Sequence, residues 1–141
     1  MTTIVANRTC MAADARVSGM PMFVTDKIFR VNGSLIGGAG RMEHILRFVE
    51  WRRNPDSKPT FSDSAEFEIL ELTSDGKIIW WGVEMVAIPI KGDCYAIGSG
   101  ANFALGAMSM GASPQQAIQI ASKWDSATGN EVRVLQLKAG K

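Results

Sequence analysis

Thr2 stands directly behind Met1 in a chain of 141 residues, and a threonine in that place can do chemistry that an internal threonine cannot. Its hydroxyl is a poor nucleophile until a base takes the proton. A threonine freed at the N-terminus supplies that base through its own α-amino group, whose ordinary pKa is near ~8. Removal of Met1 before so small a residue exposes it without a longer propeptide. Few other residues compete for a chemical role. His44 is the only histidine, and no serine or cysteine motif stands ready to partner it. Cys10 and Cys94 lack Cys-x-x-Cys spacing, so no zinc or haem ligand set can be assembled from them and one histidine. Thr2 and Thr3 alone read equally well as β-branched strand residues, so the nucleophile needs support from the rest of the chain.

The elements that would position it follow from local pattern. Thr2 to Ala13, rich in β-branched and small residues, predicts one strand or two short ones, followed by a turn at Ser18-Gly19-Met20-Pro21. Lys27 to Val31 and Ser34 to Ile36 flank Asn32-Gly33, which predicts a hairpin because both turn positions tolerate positive φ. After Gly37-Gly38-Ala39-Gly40, the residues Met42, Ile45, Leu46 and Val49 recur at helical spacing as far as Asn54-Pro55, predicting a helix with His44 on its surface. The polar segment 56–64 reads as a surface loop. Glu66 to Thr73, Lys77 to Val83 and Tyr95 to Ile97 read as strands, and adjacent Trp80 and Trp81 must then point to opposite faces. Phe103, Leu105 and Met108 populate a second helix. A third starts at Ser113-Pro114-Gln115-Gln116, with Ser113 as cap and Gln116 closing a capping box, and runs to about Trp124. Glu131 to Leu137 alternates as a half-buried strand. This order suits an α+β layered domain in which two sheets can stack between helical layers, although the pattern alone does not choose the topology.

Bulk composition narrows the partners. With 46% apolar residues the chain can bury a sizeable core, and one domain over residues 1–141 is expected. Its 15 basic and 14 acidic residues leave a net charge of +1, which carries no electrostatic footprint for nucleic acid or an anionic membrane. Arg8, Asp14 and Arg16 interrupt the first segment early, so neither a signal peptide nor a membrane span is readable there. Isolated thiols fit a reducing interior, and a cytoplasmic location is expected.

The stretch TTIVANRTCMAADARV resembles the opening of proteasome β subunits and of HslV-type peptidases. The resemblance continues through Lys27 at the start of a strand, Gly37 to Gly40 entering a helix, and AIGSGANFAL from Ala96 to Leu105. It closes with WDSATG, Trp124 to Gly129, which has the Asp-x-x-Ser/Thr-Gly pattern of the β subunits. These blocks stand in the family's order over nearly the whole chain. They imply the fold of the N-terminal-nucleophile (Ntn) hydrolases: an α+β, four-layer αββα sandwich of two antiparallel sheets between helical layers, here shortened after Asp14 and around 54–64.

The resemblance also implies a threonine-type endopeptidase and a set of roles. The aspartate matching Asp14 pairs with the lysine matching Lys27, whose ammonium sits beside the Thr2 hydroxyl and favours its alkoxide-like form. The backbone N–H of the glycine matching Gly37 would meet the oxyanion, with Gly38 as the other register. Ser99, Asp125 and Thr128 match polar residues that hold the α-amino group and its water. Taken singly, Asp14 and Lys27 also read as solvated turn and edge-strand charges, Ser99 and Thr128 as turn residues, and Asp125 as a helix C-terminal residue. Peptide hydrolysis of this kind requires no cofactor, and the family pattern is compatible with a structural monovalent or divalent cation. The implied partners are a peptide or unfolded protein substrate, further copies of the chain in a multimeric ring, and an ATP-dependent unfoldase. Two alternatives stay open: a non-catalytic assembly or regulatory subunit of the same fold, for which Met1 at the head of the sequence speaks, and a small-molecule amidase using the same nucleophile.

Overall fold

Two-residue alternation in the first strands creates two sets of apolar side chains, and the architecture gives each set a partner layer. The structure, a computed structural model, describes residues 2–17, 23–56, 58–62, 64–129 and 131–138. Met1 and the turn expected at Ser18-Gly19-Met20-Pro21 lie outside the described residues. The elements run β1 (Thr3–Asn7), β2 (Cys10–Asp14), β3 (Arg16–Val17), β4 (Phe23–Val24), β5 (Ile28–Val31), β6 (Ser34–Gly40), α1 (Met42–Arg53), β7 (Phe67–Leu72), β8 (Ile78–Trp81), β9 (Ala87–Ile90), β10 (Cys94–Gly98), α2 (Ala101–Ser109), α3 (Pro114–Trp124) and β11 (Val132–Gln136).

One antiparallel sheet has the order β10-β1-β2-β11 and the other β5-β6-β7-β8-β9, with β3 and β4 forming a separate short ribbon. Ile4, Ala6, Met11 and Ala13 of the first sheet pack against Ile28, Leu35, Leu70, Leu72 and Ile78 of the second. On its other face the first sheet presents Val5, Ala12 and Ala96 to Ala104, Ala117, Ile118 and Ala121 of α2 and α3, where small side chains let the helices lie close. The outer face of the second sheet packs Ile36, Ile69 and Trp81 against Ile45, Phe48 and Val49 of α1. The result is an αββα sandwich. Among the described residues no helix is long and apolar enough to cross a membrane.

Several local expectations hold in detail. Asn32 and Gly33 adopt φ of 50° and 86° in the β5–β6 turn. At the start of α3 Gln116 N donates to Ser113 Oγ at 3.2 Å and Ser113 N donates to Gln116 Oε1 at 2.9 Å, closing the capping box. Trp80 and Trp81 do face opposite ways, but each finds a packing layer. Trp81 stacks edge-on against Phe48 and Trp51 at 5.2 and 5.7 Å, while Trp80 packs on the core between the sheets.

Other expectations are corrected. The buried stripe of α1 is Ile45, Phe48 and Val49, and Leu46 is 49% exposed, because one residue beyond Ile45 turns about 100° away from the stripe. His44 is half-buried instead of lying on open surface, since Phe61 of the loop after α1 and Phe67 at the start of β7 set their rings 5.4 and 5.9 Å from it. The second helix forms over Phe103, Leu105 and Met108 as expected, with Ala104 as its buried residue and Phe103 facing outward. The edge strand β9 carries mostly exposed residues and Pro89, so it shows neither alternation nor an apolar run that is buried.

Gly37 and Gly38 in β6 face opposite layers. A Cβ on Gly37 would stand 2.6 Å from Ile4 Cγ2 and 2.9 Å from Ile28 Cγ2, and one on Gly38 would stand 2.7 Å from two carbons of Ile45. Both glycines therefore set how closely three layers approach. Gly37→Ala should lower stability by about 1–3 kcal/mol through overpacking. Urea unfolding checks this, and an unchanged midpoint would mean that the sheets separate more easily than their packing suggests.

Candidate active site

Asp14 ends β2, where the register sets it opposite Val132 and beside the start of β1. Its carboxylate gathers three donors. Oδ1 accepts from Thr3 N at 3.1 Å and from Lys27 Nζ at 3.0 Å, and Oδ2 accepts from Gly129 N at 3.0 Å. The Lys27 and Asp14 side chains are 1% and 0% exposed. One buried ion pair thus ties together the head of the chain, the entry to β5 and the loop after α3.

Alternation decides which of the first two threonines is free for chemistry. Thr3 points toward the α2/α3 layer, where its hydroxyl accepts from Gly100 N at 3.0 Å and meets the Thr128 hydroxyl at 2.7 Å. Thr2 points the other way and lines a cleft of about 920 Å³ together with Gly40, Arg41, Trp80 and Ser99. Its backbone is held by Ser99 N, which donates to Thr2 O at 2.8 Å. That approach requires glycine at residue 98: φ is +96°, and a Cβ there would lie 1.8 Å from Thr2 O. A Cβ at Gly100 would fall 2.2 Å from Thr3 Oγ1. The Gly-Ser-Gly spacing is what lets the loop before α2 close on the chain head.

Asp125 caps the C-terminus of α3 and organises the third part of the site. Ser99 Oγ and Thr128 Oγ1 donate to its Oδ2 at 2.5 and 2.6 Å, and Ala127 N donates to Oδ1 at 3.2 Å. Because the Thr128 proton goes to Asp125, the Thr3 hydroxyl must donate to Thr128. The bonds then run in one direction, from Gly100 N–H through Thr3 and Thr128 to the carboxylate. Burial pushes the Asp125 carboxyl up, but the Ser99 and Thr128 hydroxyls and the Ala127 N–H together outweigh it and hold the group below its ordinary 3.8.

The structure brings Thr2, Asp14, Lys27, Ser99, Asp125 and Thr128 into one connected region, and corrects the glycine. Gly37 sits mid-strand, paired with Ile28 on one side and Leu70 on the other, and its open face is filled by Ile4, Ile28 and Met11. The N–H of Gly38 is spent on Lys27 O at 3.2 Å. Neither lines the cleft. Gly40 does: it is the last residue of β6, beyond the reach of β5, with φ of +125°. N–H groups alternate along a strand, so that of Gly40 points to the same side as that of Gly38, where β5 has ended. The sequence signal for this was the last glycine before the helix, not the first of the run. Among the described residues no group of three or more His, Cys, Asp or Glu is placed to hold a metal ion. Cys10 is a core thiol, pushed up by burial against a smaller lowering from the Thr9 hydroxyl.

No family model matches the sequence, and no curated protein matches it. Solved structures do match in fold. Thiobacillus denitrificans BPH is 19% identical with a TM-score of 0.73, and the match covers 99% of this chain and 99% of that one. The same protein in complex with epoxomicin is 18% identical, with a TM-score of 0.72 and coverage of 98% and 99%. Eukaryotic HslV from Trypanosoma brucei is 18% identical, with a TM-score of 0.76 and coverage of 97% and 99%. The chain therefore has the Ntn-hydrolase fold of the HslV and proteasome type.

Two outcomes follow from the electrostatics. Lys27→Met leaves the Asp14 carboxylate buried without its cation and should cost about 3–5 kcal/mol in urea unfolding, part of which Asp14→Asn in the same chain should recover. A folded pKa below the unfolded value means that Asp125 contributes stability above about pH 4 and loses it as pH falls through the lower folded value. The stability curves of the parent and Asp125→Asn should differ at neutral pH and converge in strong acid; a constant difference across that range would contradict the assignment.

Proposed function

We propose that this chain is an Ntn hydrolase that cleaves peptide bonds with Thr2 as the nucleophile, once Met1 has been removed. The carrying observation is the fully buried Lys27–Asp14 pair, whose carboxylate also holds the N–H of the residue after Thr2. A buried ion pair is a poor way to gain stability, whereas a fixed cation at the head of the chain is what a threonine nucleophile needs. The shared fold with HslV, and with BPH that binds epoxomicin, supports the same reading.

The Thr2 α-amino group takes the Oγ1 proton, and Oγ1 bonds to the carbonyl carbon of a peptide lying in the cleft. Lys27 favours the developing alkoxide, and the Gly40 N–H faces the carbonyl oxygen as it becomes an oxyanion. The C–N bond then breaks and the amine leaves with the proton, which leaves an ester on Thr2. Water, deprotonated by the same α-amino group, hydrolyses that ester and frees the acid. Ser99, Asp125 and Thr128 hold the polar ground around the amine. A ring of further copies and an ATP-dependent unfoldase that feeds it unfolded protein belong to the same reading.

With the mature start at Thr2 verified by mass, the chain should release fluorophore from a peptide amide, and Thr2→Ala should abolish that turnover while leaving circular dichroism unchanged. Lys27→Arg keeps the charge on a wider planar group and should lose about a hundredfold or more in single-turnover rate. Undiminished cleavage by Thr2→Ala overturns the mechanism.

A further inference from the structure

The cleft that receives Thr2 has a charge and a shape of its own. Register pairs Glu68 with Ala39, one residue before Gly40, so its carboxylate stands at the mouth between the sheets on the face that carries Leu70 and Leu72. Trp80 lies on that same face of the neighbouring strand, and its Nε1 donates to Glu68 Oε1 at 3.1 Å. This bond fixes the half-buried carboxylate against an indole ring. Glu66 adds a second carboxylate at the exposed rim.

Among the described residues lining the cleft the one cationic side chain is Arg41, and it pairs with Glu43 at 2.7 Å on the exposed rim. Among the described residues neither Glu66 nor Glu68 has an ion-pair partner. Met42, Phe67, Val83 and Trp80 give the lining its apolar part, and Thr2, Ser64 and Ser99 add hydroxyls. An apolar wall ending in an oriented, uncompensated carboxylate suits a side chain with an aliphatic stem and a cationic head. An acidic side chain there would meet two carboxylates, and a purely apolar one would leave Glu68 desolvated without a partner.

We infer that Glu68 is the specificity-determining residue of this cleft, and that it selects lysine or arginine at the residue carrying the scissile carbonyl. The inference rests on the hydrolase reading above and adds the substrate class. The stem lies along Trp80 and Val83, the head pairs with Glu68, and the indole face adds a cation–π contact. Glu68 is a positioning group for substrate and takes no part in bond making.

The test compares neutral peptide amides that differ only in lysine or norleucine at that residue. The parent protein should prefer lysine by about tenfold in kcat/KM, the combined worth of one partly exposed charge pair and one cation–π contact. Glu68→Gln keeps an acceptor for the Trp80 indole but removes the charge, so the lysine-to-norleucine ratio of kcat/KM should fall to near unity; added salt should erode the ratio in the parent only. Equal cleavage of the two peptides by the parent, or a preference that survives Glu68→Gln, overturns the inference. Anisotropy of the same peptides, labelled, on the Thr2→Ala protein reads the preference without turnover. If this binding is lysine-selective and Glu68→Gln abolishes it, but the parent with its mature start at Thr2 cleaves neither peptide, the hydrolase reading falls and the cleft assignment stands; equal binding of the two peptides sinks the cleft assignment whatever the turnover.

Discussion

Almost everything in this molecule that concerns the chain head depends on the Asp14 carboxylate and the ammonium it holds. Placing two opposite charges where neither reaches water carries a desolvation cost of several kcal/mol per ion, repaid only when the remaining lone pairs are satisfied. Here they are: Thr3 N, Lys27 Nζ and Gly129 N supply the donors. These donors come from three distant parts of the chain, so satisfying one carboxylate obliges β1, the lead into β5 and the loop after α3 to meet. The meeting point is one residue from Thr2.

The second requirement is close approach. Backbone can come near the first residues only where no Cβ intervenes, and Gly98 and Gly100 would otherwise place a carbon on Thr2 O and on Thr3 Oγ1. Gly37 and Gly38 do the same for the layers, letting Ile4 and Ile45 press on opposite faces of one strand. The cleft is then the open mouth of the inter-sheet space, at the ends of the strands, where Gly40 lies beyond the pairing of β6 with β5. Site and core are continuous, which is why Gly37 is a packing residue while Gly40, three residues on in the same strand, lines the cleft.

A third constraint concerns protons. Asp125 accepts from Ser99 and Thr128, and this fixes the direction of the bond between Thr128 and Thr3. The Thr3 hydroxyl is thereby committed on both sides and has no capacity left for a nucleophile's role. Two neighbouring threonines of identical chemistry are separated by which face of a strand each occupies.

Much of this is legible in the sequence. Turn chemistry at Asn32-Gly33, the capping box at Ser113 to Gln116 and the alternation of the last strand are local, and residues a few positions apart decide them whatever the rest of the chain does. The resemblance in order of the TTIV, Gly-rich, AIGSG and WDSATG blocks carried the αββα fold. What local pattern misjudged had non-local causes: Leu46 faces outward because α1 meets its sheet through Ile45, Phe48 and Val49, and His44 is covered by a loop that returns from beyond α1. Strand β9 is recognisable only by its pairing with β8. By itself the sequence determined which residue types were available for chemistry and the order in which they occur, because those are properties of the chain. Only the tertiary structure decided that Asp14 and Lys27 are buried together, that Gly40 and not Gly37 lines the cleft with Thr2, and that Glu68 shares that cleft, because strand register and the ends of neighbouring strands are set by packing between residues far apart in the chain.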